Sequence, residues 1–493
     1  MTITLNFEFG NREAKNFNEI VSELFEQVME LGRLTLVSIL QSWDEELLNQ
    51  RDKQRYRNKG MRETSFKTRF GVVSFSRRVY IDMAAEGGIH CVYLLDEALQ
   101  IEKEGLITSD ICELASELIC KISYRDTANT IGDVTGLTIS HKGVWNLIQG
   151  LAEHQQALVE RYAELHTMGA GIGTIASEVL YEEKDGVWLK MQGKDRIQYG
   201  ADKEMKVGIQ YDGALWTSGA HGSQRRSLDN KVAYATFASL PEFQKGLDAV
   251  ASSKFDLEKV TLTVTNGDGA NWIQGSNSEQ HLYTLDTYHR NRKIPRCVKD
   301  PALARELLQR LYANDIPGVL QRIEEALSQA EDGKERENLQ VLLSYYQENQ
   351  TALLGYRDRG IAIPDTREPG LVHHARLGSM ESNIYTIIGN RMKGGRACWS
   401  IQGGNHLALL LCLYHTDGFG SLFPSLPPIP ERTSESEPIP ERIPEPVDNG
   451  PPPCSASKVP VTEGKGLECY CSATLPNIPW LKSMTAYRSL SEL

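Results

Sequence analysis

Three acidic side chains sit in surroundings unusual for surface carboxylates. Asp185 lies in Val179-Leu-Tyr-Glu-Glu-Lys-Asp185-Gly186-Val-Trp-Leu, in the middle of a strand-forming run. Buried strands exclude carboxylates unless something compensates them. Asp268 follows a β-branched strand, Leu262-Thr-Val-Thr-Asn, and is flanked by Gly267 and Gly269. The C-terminal edge of a strand in an α/β sheet is where ligands are presented, and small neighbours allow close approach. Glu381 falls in the first turn of a helix opened by Gly378-Ser379. Taken singly, the first two read as turns and the third as a helix-dipole partner. Together, two strand-borne acids and one helix-borne acid can converge at one sheet edge. Three carboxylates suit hard cations, Mg²⁺ or Mn²⁺, as a pair of ions. Such a pair activates a water or a 3′-hydroxyl and stabilises the leaving oxygen. The first acid has an alternative: strand alternation puts Glu183 on the same face as Asp185, with Glu182 opposite.

The elements that must position these acids follow from hydrophobic periodicity. Residues 12–50 read as helix, with Phe17, Ile20, Val21, Leu24, Phe25, Val28 and Leu31 at helical spacing. Residues 64–82 alternate as strands, with a hairpin turn at Phe70-Gly71-Val72. Residues 106–153 return to helix. Ser123 to Gly136 and Ser140 onward form a helix, a Gly-containing turn and a second helix N-capped by Ser140. That pattern also describes a helix-turn-helix, whose second helix would present Ser140, His141, Lys142 and Asn146 to DNA. Strands are expected at 178–191, 205–215, 260–266 and 280–285, and helices at 301–356, 380–392 and 404–414. Counting 100° per residue along a continuous helix, Arg391 and Lys393 leave Glu381's face and point toward phosphates.

Charge is distributed unevenly. The 493-residue chain carries a formal net charge of −12, which by itself disfavours nucleic acid. Yet residues 51–80 hold ten basic and two acidic side chains, Arg77 and Arg78 among them. A second basic run spans His289 to Arg296. Such clusters suit phosphate contacts. The nine cysteines show no CxxC spacing and read as free thiols. No signal peptide and no membrane-spanning run is expected, which points to the cytoplasm. Pro427-Pro-Ile-Pro-Glu-Arg and Pro438-Ile-Pro-Glu-Arg mark a Pro-rich, disordered tail from about residue 424.

Several segments are similar to the DDE transposases of bacterial insertion sequences, in particular the Lre-type group related to the Mutator-like superfamily. They are Thr68-Arg-Phe-Gly71 with Arg77-Arg-Val-Tyr80, Asp268-Gly-Ala-Asn-Trp-Ile, Leu285-Asp286-Thr-Tyr-His289, Gly378-Ser-Met-Glu381-Ser, and Arg391-Met-Lys393 with Trp399-Ser400. The resemblance covers roughly residues 10–420. It implies an α/β fold: an RNase H-like mixed-sheet core with a helical insertion between the second and third acids, preceded by a mainly helical DNA-binding region with a basic β-ribbon. The implied order is a helical region (1–58), the ribbon (59–105), a helical helix-turn-helix region (106–170), the core (171–300), the insertion (301–370), the rest of the core (371–423) and the tail (424–493). Asp286 and His289 resemble the Asp/Cys-x-x-His signature of Mutator-like relatives, with His289 orienting DNA or the scissile phosphate. The implied activity is metal-dependent cleavage at transposon ends and strand transfer into target DNA, by a homo-oligomer that binds terminal inverted repeats on the nucleoid and no membrane. The rival expectations are a nuclease that cuts without joining and a non-catalytic DNA-binding derivative.

Overall fold

A computed structural model of the chain describes residues 16–85, 90–99, 107–218, 224–273, 280–373 and 377–420. The Pro-rich tail, with Cys454, Cys469 and Cys471, lies outside them. Helix α1 (Phe17–Gln50) starts with a reciprocal capping box in which Asn16 accepts from the Glu19 amide and Glu19 accepts from the Asn16 amide. Its second half packs Leu40 against Phe66, Val73, Phe75 and Leu95. Along its first half, Phe17, Val21, Leu24, Phe25 and Val28 are exposed in the single chain, Phe17 by 77%.

Strands β1 (Tyr56–Thr68), β2 (Gly71–Asp82) and β3 (His90–Val92) form an antiparallel sheet, with the turn at Arg69-Phe70, one residue ahead of the expected Phe70-Gly71-Val72. The ribbon is less basic in effect than its composition. Arg77 is buried at 1% exposure, pairs with Asp96 at 2.6 Å and stacks its guanidinium 4.0 Å from the Tyr93 ring centroid. Arg78 pairs with Asp44 at 2.7 Å and with Glu45. Arg55 pairs with Asp82 and Arg69 with Asp110. The expected DNA-contacting role of Arg77 and Arg78 is therefore corrected: strand alternation turns Arg77 into the core, and helix α1 supplies the acids that hold Arg78. Helix α2 (Leu94–Ala98) carries Asp96.

Helices α3 (Ser109–Ile119), α4 (Tyr124–Val134) and α5 (His141–Thr167) follow. Ser140 caps α5 as expected, accepting from Gly143 N at 3.1 Å. The turn between α4 and α5 is covered by the hairpin tip: Gly136 N donates to Arg69 O, and a Cβ on Gly71 (φ +103°) would meet Gly136 O at 2.6 Å. Helix α5 runs 27 residues, and its apolar side chains join those of α3, α4 and the central sheet in one continuous core. These helices share a core with the sheet rather than packing on their own.

The central sheet comprises β4 (Val179–Lys190), β5 (Asp202–Tyr211), β8 (Val232–Thr236), β9 (Leu262–Gly267) and β10 (His281–Leu285), in the order β10-β9-β4-β5-β8. Pairs β4/β5 and β5/β8 are antiparallel; β4/β9 and β9/β10 are parallel. The intervening elements are α6 (Gly193–Tyr199), the hairpin β6 (Gly213–Ser218) and β7 (Gln224–Asp229), and α7 (Leu240–Ser252). After β10 come α8 (Thr287–Cys297) and the helical block α9 (Pro301–Tyr312), α10 (Ile316–Gln329) and α11 (Gly333–Glu348), with its own apolar cluster against Tyr283 and Leu285 of the edge strand. The chain returns through α12 (Met380–Ile384), a π-turn (Tyr385–Gly389), α13 (Asn390–Met392) and α14 (Ile401–Tyr414). No helix among the described residues is long and apolar enough to cross a membrane.

Breaking a buried ion pair strands the other charge, at about 3–5 kcal/mol. Asp96→Ala is accordingly expected to lower stability by about that much in urea unfolding; a loss under about 1 kcal/mol would show that Arg77 is not held this way.

Candidate active site

Asp185 is not at a turn. It stays in register inside β4, opposite Val207 of β5, and half-buried. Its Oδ1 accepts from the next amide, Gly186 N, at 2.7 Å. Asp268 stands one residue past β9, and its Oδ1 accepts from Ala270 N at 2.8 Å. Gly269 adopts φ +94°, a conformation open to glycine. A hydroxyl from the helical block, Tyr345, donates to Asp268 O at 2.7 Å and pins this loop. Glu381 projects from the first turn of α12 and is exposed.

His289 completes the cluster. Asp286 caps α8, accepting from His289 N at 3.0 Å, and the same carboxylate oxygen lies 3.1 Å from His289 Nδ1. That contact leaves Nε2 facing Glu381 Oε1 at 3.5 Å. Ligand atoms of Asp185, His289 and Glu381 all lie within 4.8 Å of one another. Asp268 is close enough for its charge to act on both Asp185 and His289.

The electrostatics follow from this crowding. Burial, and then the charges of Asp268 and Glu381, push the Asp185 carboxyl up to about 6. The hydrogen bond to Asp286, aided by the charges of Asp286, Asp185 and Asp268, raises His289 above the ordinary histidine range. Burial opposes ionisation of Asp286, but hydrogen bonds from His289 and Asn266 hold its carboxyl below the usual carboxylate range. The cluster thus concentrates negative charge around His289. A divalent cation can offset it.

Glu183, the alternative first acid, does other work. It is fully buried and receives four hydrogen bonds: Tyr211 Oη at 2.7 Å, Asn266 Nδ2 at 3.1 Å, Gly378 N at 2.8 Å and Ser379 N at 2.9 Å. It is an anchor that ties the start of α12 to the central strand. Leu377 (φ +51°) and Gly378 (φ +87°) adopt left-handed conformations where the two amides are presented. A Cβ on Gly378 would meet Asp286 Oδ2 at 3.1 Å. Asn266 Nδ2 also reaches Asp286 Oδ2 at 3.3 Å, so one amide group links both supports.

Four other expected site residues lie apart from the cluster. Arg391 is half-buried, donates to Ile119 O at 2.7 Å and stacks on Trp399. Trp399 is buried, and its Nε1 donates to Met392 O at 2.9 Å. These two brace the π-turn region against α3, so their assignment to DNA binding is corrected. The π-turn also adds a residue between Glu381 and Arg391, which invalidates the regular 100° projection. Lys393 is exposed. Lys142 is exposed on α5, with Nζ 3.6 Å from the Trp145 ring centroid.

The different tasks of Glu183 and Asp185 predict opposite mutant behaviour. Glu183→Ala removes a buried acceptor of four donors and is expected to cost roughly 3 kcal/mol or more, since each unsatisfied donor costs about 1–3 kcal/mol. Asp185→Asn relieves like-charge repulsion and is expected to raise the melting temperature of the ion-free protein while abolishing its Mn²⁺ binding in calorimetry. Equal loss of stability in both would contradict the division.

The family comparisons agree in coverage with the described body of the chain. The uncharacterised protein family UPF0236 matches residues 11–420. The UPF0236 protein in the vanSb 3′ region of Streptococcus gallolyticus is 24% identical over 420 residues, covering 83% of this chain and 86% of the relative. Two UPF0236 proteins of Caldanaerobacter subterraneus subsp. tengcongensis are each 22% identical over 376 residues, covering 74% of this chain and 74% and 70% of the relatives. The chain belongs to the UPF0236 family.

Proposed function

We propose that this protein is a DDE-type transposase that cuts DNA at the ends of a mobile element and joins them to target DNA. The observation that carries the reading is the convergence of Asp185, His289 and Glu381, from three separate elements, to within 4.8 Å, with Asp268 beside them. The strand order β10-β9-β4-β5-β8 supports an RNase H-like core. Asp185 is on the central strand, Asp268 follows its parallel neighbour, and the helical block falls between Asp268 and Glu381. Two relatives in one bacterium also suit an element that multiplies within a genome.

The donor set fits Mg²⁺ or Mn²⁺: carboxylate oxygens predominate, with one imidazole nitrogen, and burial together with the neighbouring carboxylates raises Asp185. In this reading Asp185, Asp268 and Glu381 would hold a pair of such ions, which would lower the pKa of an attacking water and neutralise charge on the phosphate. His289, aimed by Asp286, sits to hold the scissile phosphate. Water attacks the phosphodiester and frees a 3′-hydroxyl. That hydroxyl attacks a target phosphodiester in line, so one P–O bond forms as another breaks. The exposed apolar side chains at the start of α1 suit pairing of two copies, which bringing two DNA ends together requires.

Labelled element ends, Mg²⁺ and a target plasmid test the reading. The expected result is cleaved and joined product, lost in Asp268→Ala and Glu381→Ala. Cleavage without joining would identify a nuclease; end cleavage retained by both variants would refute the site. Because protons compete with the cation at Asp185, Mn²⁺ affinity is expected to fall as pH drops through about 6. Leu24→Glu with Val28→Glu is expected to convert a dimer into a monomer by light scattering; an unchanged mass would place the interface elsewhere.

A further inference from the structure

Beside the helix that carries Glu381 lies a second polar cleft, of about 600 Å³. Three cations line it: Arg226 from β7, Lys231 from the start of β8 and Lys254 from the end of α7. Ser379, Ser382 and Asn383, immediately around Glu381, form the adjoining wall. No acidic residue lines this cleft among the described residues. Lys254 is already paired with Asp417 at 2.5 Å, so in a chain of net charge −12 it is Arg226 and Lys231 that call for an anionic occupant.

Lys231 is the most informative of the three. It is half-buried and donates to Asn383 Oδ1 at 2.9 Å, and no carboxylate pairs with it among the described residues. Burial of an ammonium without a counter-ion is costly, and it holds Lys231 below the ordinary lysine range. The turn that delivers it is fixed from behind. Asn230 adopts a left-handed φ of +49°, and its amide reaches Asp212 and Asp229. Arg367 clamps the same two acids, at 2.9 and 2.7 Å. Directly across the hairpin from Arg226 stands Trp216, 57% exposed and therefore on the same face of the ribbon. An exposed aromatic next to a cationic track is the pairing that suits a nucleic-acid strand better than a free small anion.

We propose that this cleft holds the phosphodiester backbone of DNA next to the scissile position, with Lys231 and Arg226 binding phosphates and Ser379 and Ser382 aligning the strand toward Glu381. The proposal rests on the transposase reading and adds to it the path of the strand. That path runs past the β6–β7 hairpin rather than over Arg77, Arg78, Arg391 or Trp399.

The test is binding of the full chain to a short fluorescent duplex of arbitrary sequence, as a function of salt, without divalent ion. Removing one phosphate-binding cation is expected to lower the slope of log K against log salt by about 0.9 for a duplex. Arg226→Gln and Lys231→Gln should each show that reduction, and Lys231→Arg should restore the slope. Arg226 is on an exposed strand, so its variant remains decisive if Lys231→Gln fails to fold. Slopes equal to the unmodified protein in both glutamine variants would overturn the cleft and leave the transposase reading standing. Failure of the unmodified protein to bind duplex at low salt would overturn both.

Discussion

The candidate site depends on one buried carboxylate. Glu183 lies inside the central strand, two residues before Asp185, and accepts from Gly378 N and Ser379 N, which open the helix bearing Glu381. Residues 195 positions apart are thereby fixed to one another through a fully buried carboxyl, which burial pushes above the usual carboxylate range. Hydrogen bonds of this kind contribute roughly 0.5–1.5 kcal/mol each, and their geometry matters more than their sum. Glu381 comes from the far side of a helical insertion, and this tether to β4, with Met380 and Ile384 packed in the main core, brings it back to Asp185. Asn266 extends the tether to Asp286, and Asp286 extends it to His289. The strand, the two loops and the helix are one polar assembly beneath the cluster.

The cluster itself is destabilising. Asp185, Asp268 and Glu381 repel one another, and Asp185 is half-buried as well. The Gly186 amide and His289 oppose this at Asp185. Groups held against their own repulsion by hydrogen-bonded supports mark functional sites more often than structural ones. The arrangement divides the work: in the lower layer Tyr211 and the Asn266 amide nitrogen donate to Glu183, and that nitrogen also reaches Asp286, whereas the upper layer is left with charge to bind something positive.

Much of this was legible in the sequence because it depends on local pattern. Alternation along β4 correctly placed Glu183 and Asp185 on one face and Glu182 on the other, where Glu182 pairs with Lys184 and Gln210. The strand before Asp268, the hairpin turn before Gly71 and the Ser140 cap follow from β-branching, glycine and capping chemistry. What was not legible required partners far along the chain. Arg77 and Arg78 look like a basic surface until Asp96 and Asp44 are placed beside them. Arg391 and Trp399 look available until α3 is packed beneath them. The π-turn at Tyr385–Gly389 breaks the helical phase without any sequence mark that periodicity can detect. Asn266 did carry a signal, a polar side chain in an otherwise β-branched strand, although its role emerges only from its two carboxylate partners.

If these supports position Asp185, Asp268 and Glu381 to share divalent metal, anomalous diffraction from crystals soaked in Mn²⁺ tests it most directly. Peaks are expected within coordinating distance of Asp185, Asp268 and Glu381, and their disappearance is expected in crystals of the Asp185→Asn variant. Mn²⁺ bound only elsewhere, or none at the cluster under saturating soak, would contradict the shared-metal site.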